Sequence, residues 1–311
     1  MNAYYKSFPL FLILVMLVGC GRQVVRRNSS GNPIRNKQYD PARFAGIKKK
    51  IALLSFFNES PYGGEDLAVT ATEELRREIS RTGDFLIDPE GEKLFGSSKE
   101  IYSGGGMKLA QMARKAKLSG INLVVFGRIR QARIRQKMDE IGFVRQTKSY
   151  AEAELEIKAF DVSSNKEIFT STFPANTDDK TFHFYAEDQE GKLNYRQQLL
   201  RYTVKVAARR AVPKLMKLAS KMNWTGRVAK IIGSKIYVNA GRQSGLNVGD
   251  VLKVITEGRE IFDPETGALL GISKGEVKGT LEIIDYFGPD GSIAILHSGG
   301  SVTEGDFVEL Y

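Results

Sequence analysis

The chain has 311 residues, 42% hydrophobic and 26% charged, with a formal net charge of +10, a pI near 9.5 and one cysteine. These proportions are those of a folded globular protein, and the length suits two ordinary domains. The lone thiol excludes an internal disulfide and a zinc site of paired cysteines, and no stretch after the N-terminal segment is long and apolar enough to span a bilayer as a helix.

At the start of the chain, Lys6 and the amino terminus supply positive charge. Phe8 to Leu17 supply a short apolar core, and Val18-Gly19 place small side chains before Cys20. That is the order of a secretory signal, and it falls short of the ~20 apolar residues of a transmembrane helix. The run Leu17-Val18-Gly19-Cys20 resembles the lipobox of bacterial lipoproteins. The resemblance implies that signal peptidase recognises Leu17, Val18 and Gly19 and that Cys20 becomes the mature N-terminus. It also implies a covalent diacylglycerol and N-acyl lipid on Cys20, with no other cofactor expected. In enteric-type sorting an aspartate after the cysteine favours inner-membrane retention, so Gly21 implies passage to the outer membrane. Two signals of this kind hold a protein stably on a membrane. The expectation is a lipid-anchored outer-membrane protein facing the periplasm, with residues 1–19 as signal peptide. Export also turns the basic charge away from nucleic acid and toward anionic headgroups, lipopolysaccharide or cell-wall carboxylates.

Residues 20–47 read as a lipidated flexible tether. Arg22, Arg26, Arg27 and Ser29-Ser30-Gly31-Asn32-Pro33 leave little to build a core, and such a coil averages about 28 Å end to end. A first folded unit, 48–222, opens with the apolar run Ile51 to Phe57, a buried strand, and turns at Asn58 to Gly64. Leu67, Ala71, Leu75 and Ile79 predict a helix over Glu65–Arg81, ended by Gly83. Phe85-Leu86-Ile87 is a brief strand. Leu109, Met112, Ala113 and Ala116 predict a helix over 107–117, with Ser103-Gly104-Gly105-Gly106 as the loop before it. Ile121 to Gly127 is a third buried strand, and the basic segment 128–137 follows. Ala151 to Phe160 alternates with period two, turns at Asp161 to Lys166, and pairs with Glu167 to Phe173. Leu193 to Met222 is the longest helix pattern, with Leu199, Tyr202, Val206, Val212 and Leu215 inward and a kink or restart at Pro213.

The unit 223–311 is glycine-rich and places strands every ~8–12 residues, the pattern of a small closed or sandwiched β domain. Strands are expected at Gly226–Val228, Lys235–Val238, Val251–Ile255, Lys278–Ile284, Ser292–Leu296 and Phe307–Leu310. Val248-Gly249-Asp250 and Glu304-Gly305-Asp306 are matching turns, and Asp263 to Gly267 turns a hairpin. The fold class is therefore α+β: a mixed sheet with helices, then an all-β, barrel-like domain.

Three sets of residues carry a resemblance. Gly226, Ile236 to Gly241, Ser244 to Asp250, Asp263 to Gly271, the Gly279–Ile284 strand and Glu304-Gly305-Asp306 resemble, in order, the C-terminal domain of flagellar assembly protein T. Lys50 to Asn58, Leu123 to Gly127 and the hairpin Glu154 to Phe173 resemble an α/β module found in three periplasmic groups. These are the TolB amino-terminal domain, the curli-secretion channel lipoprotein and the middle domain of flagellar assembly protein T. Unlike the last of these, the chain carries a lipobox and no obvious separate N-terminal domain. The resemblances imply a binding and scaffolding role with no enzyme activity.

Chemistry has few candidates. His183 and His297 are the only histidines, no Gly-x-Ser-x-Gly or metal-ligand spacing accompanies them, and no metal is expected. A hydrolase reading would rest on His297 alone. Ser103 to Gly106 lacks the ending of a nucleotide loop. Arg128, Arg130, Arg133 and Arg135 have two readings: contact with an anionic polymer, or charge on an exposed edge strand that blocks sheet-to-sheet aggregation. The leading expectation is an envelope assembly scaffold, with flagellar basal-body ring assembly as a specific form. Its expected partners are outer-membrane lipid and envelope proteins, flagellar basal-body components and a homo-oligomeric ring among them, without nucleic acid. The alternatives are a curli-type secretion channel and an activator of a peptidoglycan synthase.

Overall fold

The computed structural model describes residues 46–139, 146–178, 192–267, 269–273 and 275–311. Cys20, Leu17 to Gly19, Gly21, His183 and the tether up to residue 45 lie outside them. The first strand, β1 (Lys49–Leu53), is buried from Ile51 onward, because its apolar run offers no polar side chain to either face. Then come β2 (Phe57–Asn58), α1 (Gly64–Thr82), β3 (Phe85–Ile87), α2 (Gly91–Phe95) and α3 (Ser98–Leu118). β4 (Leu123–Asp139), β5 (Gln146–Asp161), β6 (Lys166–Asp178) and α4 (Lys192–Lys221) complete the first module. Its 6-stranded sheet has the order β3-β1-β4-β5-β6, with β2 beside β4. β1 is parallel to β3 and β4, while β4, β5 and β6 are antiparallel.

The helices cover the sheet unequally. On one face Leu67, Ala71, Leu75 and Ile79 of α1 pack with α4 against Ile51, Val125, Leu155 and Ile157. On the other, Phe95 of α2 and Ile101, Ala113 and Ala116 of α3 cover Val124, Phe126 and Phe160. On β5 the odd positions from Ala151 to Ala159 are buried in the α1–α4 core, and Glu152 and Glu154 between them are more accessible, as the period of two requires. α4 carries basic and no acidic residues. It is fastened to α1 by Arg201–Asp66 at 2.9 Å and by Arg209–Glu74 at 2.5 Å.

Two helices depart from the sequence expectation. α3 begins at Ser98, not Met107, so Ser103 to Gly106 are helical. The reason is a capping box upstream. Ser97 Oγ accepts from the Glu100 amide at 3.4 Å, and the Glu100 carboxylate accepts from the Ser97 amide at 3.5 Å. In α4 the inward stripe is Leu199, Leu200, Val204, Ala207, Ala208, Ala211, Leu215 and Ala219, while Tyr202, Val206 and Val212 sit at its margin. Alanines there let the helix lie close to the sheet. The helix runs through Pro213, which is exposed.

The second module is a closed barrel. Its strands are β7 (Thr225–Ile232), β8 (Lys235–Val238), β9 (Val251–Ile255), β12 (Val277–Phe287), β13 (Gly291–Gly299) and β14 (Phe307–Leu310). They follow the order β12-β13-β8-β7-β14-β9, and β9 closes onto β12. Every pairing is antiparallel. β10 (Glu260–Phe262) and β11 (Leu269–Ile272) form a separate hairpin, turned where the Asp263 carboxylate accepts from the Glu265 and Thr266 amides. The matching turns behave as expected: Asp250 accepts from the Asn247 amide at 2.8 Å and Asp306 from the Thr303 amide at 2.7 Å. Gly249 and Gly305 take φ of 83° and 92°, a region an L side chain rarely enters. Among the described residues no helix is long and apolar enough to cross a membrane.

The glycine run is the weak point of α3. Gly104→Ala should stabilise the protein by about 0.5–1 kcal/mol, read as a higher denaturation midpoint at unchanged slope.

Candidate functional site

The four basic-strand arginines share one face of β4. Arg128 and Arg130 alternate with Ile129, then a bulge between Ile129 and Gln131 shifts the phase, so Arg133 and Arg135 emerge on the same side. Ala132 and Ile134 stay on the α4 side. Opposite them stand the β5 glutamates. Arg128 lies 3.3 Å from Glu156 and 3.1 Å from Glu59, Arg130 lies 3.3 Å from Glu154, and Arg135 lies 3.6 Å from Glu152. Arg133 also pairs with Glu152. β4 pairs with β5 along its full length but with β1 and β2 on its other side only as far as Ile129, so among the described residues Arg130, Arg133 and Arg135 lie on a stretch of β4 with one strand neighbour. Four arginines thus face three β5 carboxylates, Arg133 and Arg135 sharing Glu152.

The ladder ends at a partly buried hub. The Tyr102 hydroxyl donates to Glu156 at 2.7 Å, and the Arg128 guanidinium lies 4.7 Å from the Tyr102 ring centre. Burial, reinforced by the Glu156 acceptor, pushes the Tyr102 phenol far above its usual range. Burial also opposes the charge on Glu156, but hydrogen bonds from Tyr102 and Arg128 and the charges of Arg128 and Lys158 outweigh it, so its pKa falls below the ordinary 4.5. Between that lowered value and 4.5 the unfolded chain binds more protons than the native one. Stability from Glu156 is therefore present above the ordinary value and lost as pH falls through the native one. Glu156→Gln should flatten this acid limb, read from denaturation midpoints between about pH 7 and pH 3.

A second cluster joins the modules, which belong to one compact unit. Asn122, 6% exposed, accepts from the Lys50 amide at 3.1 Å and donates to the Thr225 carbonyl at 2.8 Å. Its own amide donates to the Lys50 carbonyl at 2.7 Å. The Lys50 ammonium lies 3.3 Å from Asp290, which also accepts from the Gly241 and Ser244 amides. Ile47 is buried in the barrel core, so the chain touches the barrel before entering β1. Removing one member of a buried ion pair strands the other. Asp290→Asn should cost about 3 kcal/mol in denaturant unfolding.

Beside this junction a cleft of about 1000 Å³ opens between the modules. Arg227, on β7, lies in its wall with a side chain only 10% exposed. Its guanidinium stacks 4.2 Å over the Phe307 ring and stands 3.7 Å from Glu257, and its Nε has no hydrogen-bond partner. Burial pulls the Arg227 pKa below the usual arginine value, against the charges of Glu257 and Asp306. Lys117 of α3 reaches Glu257 at 2.6 Å. None of these residues was singled out in the sequence. The one signal was an arginine inside an otherwise apolar strand start.

His297 lies on the barrel wall, half-exposed, with Nδ1 3.4 Å from Glu282. Among the described residues no group of three histidine, cysteine or acidic side chains could hold a metal.

No protein-family model and no curated protein sequence matches the chain. Several solved structures are similar in part. The hypothetical protein CT253 from Chlamydia trachomatis is 14% identical with a TM-score of 0.37, over 55% of this chain and 98% of that one. The PelC dodecamer from Paraburkholderia phytofirmans is 13% identical at 0.32, over 54% and 89%. The LpoB C-terminal domain from Salmonella enterica is 15% identical at 0.27, over 41% and 82%. Likenesses this weak carry no argument about function.

Proposed function

We propose that the chain is a lipid-anchored envelope protein that works as a docking scaffold, held on the outer membrane through Cys20 and facing the periplasm. The observation that supports this reading best is the junction. Asn122, Lys50 and Asp290 fasten the barrel to the sheet through buried polar contacts. A body fixed in this way behind a lipobox suits the positioning of partner proteins at a set distance from a membrane. Flagellar basal-body ring assembly is the specific form proposed, on the resemblance of residues 223–311. Envelope proteins, further copies of the chain included, are the proposed partners, and no catalytic step is assigned.

The long hairpin argues for this reading over a curli-type channel. A membrane-spanning strand pair needs an apolar row facing lipid. From Arg128 to Arg135 of β4 the apolar row faces α4, and the opposite row is paired with the β5 glutamates.

Fractionation of cells expressing the full chain tests the anchor. The wild type should incorporate labelled fatty acid and float with outer membranes, and Cys20→Ser should lose the label and leave the membrane fraction. Cys20→Ser that remains lipidated and membrane-bound would contradict the reading.

A further inference from the structure

β4 has an open edge. On the side away from β5 the Glu59 amide meets the Ile129 carbonyl at 3.0 Å, and beyond it the backbone from Arg130 to Gln136 has no partner on that side among the described residues. In an antiparallel pair about half of a strand's N–H and C=O groups point away from its neighbour, so this stretch offers a row of free donors and acceptors. A cavity of about 510 Å³ lies against the same stretch. Ile134 and Gln136 of β4 form one wall, Tyr62 and Leu67 around the start of α1 a second, and Arg196 and Leu200 of α4 a third.

The two faces of this edge differ. On the cavity side Leu67, Ile134 and Leu200 are apolar, Arg201 is held by Asp66 at 2.9 Å, and the exposed Arg196 has no ion pair among the described residues. On the other face Arg130, Arg133 and Arg135 draw on Glu152 and Glu154. Arg130 reaches Glu156 only at 3.7 Å, and Arg128 and Tyr102 hold that carboxylate. Along the open stretch, cations therefore outnumber carboxylates on both faces. A charged row by itself guards an edge against pairing, but a guard has no need of an apolar-walled cavity beside it.

We propose that the open edge of β4 takes an added strand from a partner protein, an extended segment in which apolar and acidic residues alternate. Strand addition satisfies the free backbone groups, and successive side chains of the added strand point to opposite faces. Its apolar residues enter the cavity against Leu67, Ile134 and Leu200, and its acidic residues lie beside Arg130, Arg133 and Arg135. β5 shows the same pairing on the other side of β4, where glutamates alternate with Ala151, Ala153, Leu155 and Ile157. Arg22, Arg26 and Arg27 make the chain's own N-terminal segment a poor match for this surface. The inference rests on the docking role for the nature of the partner, and on the edge and cavity, not on a lipid at Cys20, for the site.

The test uses the full chain in detergent and a fluorescein-labelled peptide, acetyl-Glu-Val-Glu-Leu-Glu-Val amide, followed by anisotropy at constant ionic strength. The control peptide has the same composition in the grouped order Glu-Glu-Glu-Val-Leu-Val and should bind far more weakly. Arg135→Glu and Arg196→Glu, both at exposed positions, should each weaken binding of the alternating peptide at least about tenfold. Lys235→Glu makes the same change of charge on the barrel and should leave binding unaltered. Backbone amides from Arg130 to Gln136 should exchange more slowly with the alternating peptide bound. Cys20→Ser should bind it as the wild type does, so failure of the lipid anchor and failure of this site are read separately. Equal binding of the grouped peptide, or equal weakening by Lys235→Glu, would overturn the proposal and mark a general electrostatic contact. So would amides of this stretch already protected without peptide, which would put the chain's own residues on the edge, or a second copy where protection grows with protein concentration.

Discussion

One buried carboxamide sets the relation of the two modules. Asn122 stands at the entrance to β4, hydrogen-bonded to both backbone groups of Lys50 and, through its side chain, to Thr225 at the start of the barrel. A hydrogen bond from a buried amide contributes about 1 kcal/mol net, but leaving its partners unmet costs more, so the arrangement is fixed more by penalty than by attraction. The adjacent Lys50–Asp290 pair works the same way, since Asp290 organises the Gly241 and Ser244 amides of the barrel as well as neutralising Lys50. Ile47 adds apolar contact to the barrel core just before β1. The barrel is thus held at the point where the chain enters the sheet, although some 170 residues of sequence separate that point from the barrel's first strand.

The same economy governs charge elsewhere. A net charge of +10 invites the expectation of a basic surface. On the sheet, however, arginines of β4 meet glutamates of β5, and α4, which has no acid of its own, draws on Asp66 and Glu74 of α1. The Glu74 carboxylate is buried, and burial works against its charge, but Arg77 and Arg209 together hold its pKa below the ordinary value. Arg227, buried beside Glu257, has its Nε unmatched, as does Arg128.

Much of the fold was legible because local signals and burial agreed. The four-residue spacing of α1, the period of two in β5 and the paired glycine–aspartate turns of the barrel each state their structure directly. The start of α3 was misread because three glycines look like a loop, while the capping box that launches the helix lies further upstream in two ordinary residues, Ser97 and Glu100. The common face of the four arginines was not legible, because their alternation slips by one between Arg130 and Arg133, and that slip is the bulge that keeps all four on one face. The junction and cleft were not legible at all. Asn122, Lys50, Arg227 and Asp290 are spread along the chain, and only the tertiary fold brings them together.

A scaffold made of two modules transmits position only if they behave as one body. That requirement follows from the buried polar contacts at Asn122 and Asp290 and underlies both the docking role and the geometry of the cleft between the modules. Native-state hydrogen exchange in increasing denaturant measures it most directly. Amides of β1 and β4 in the sheet and of β7, β8 and β13 in the barrel should open with the same free energy and the same denaturant dependence. Barrel amides that open together at a distinctly lower free energy, with the sheet still protected, would contradict the account.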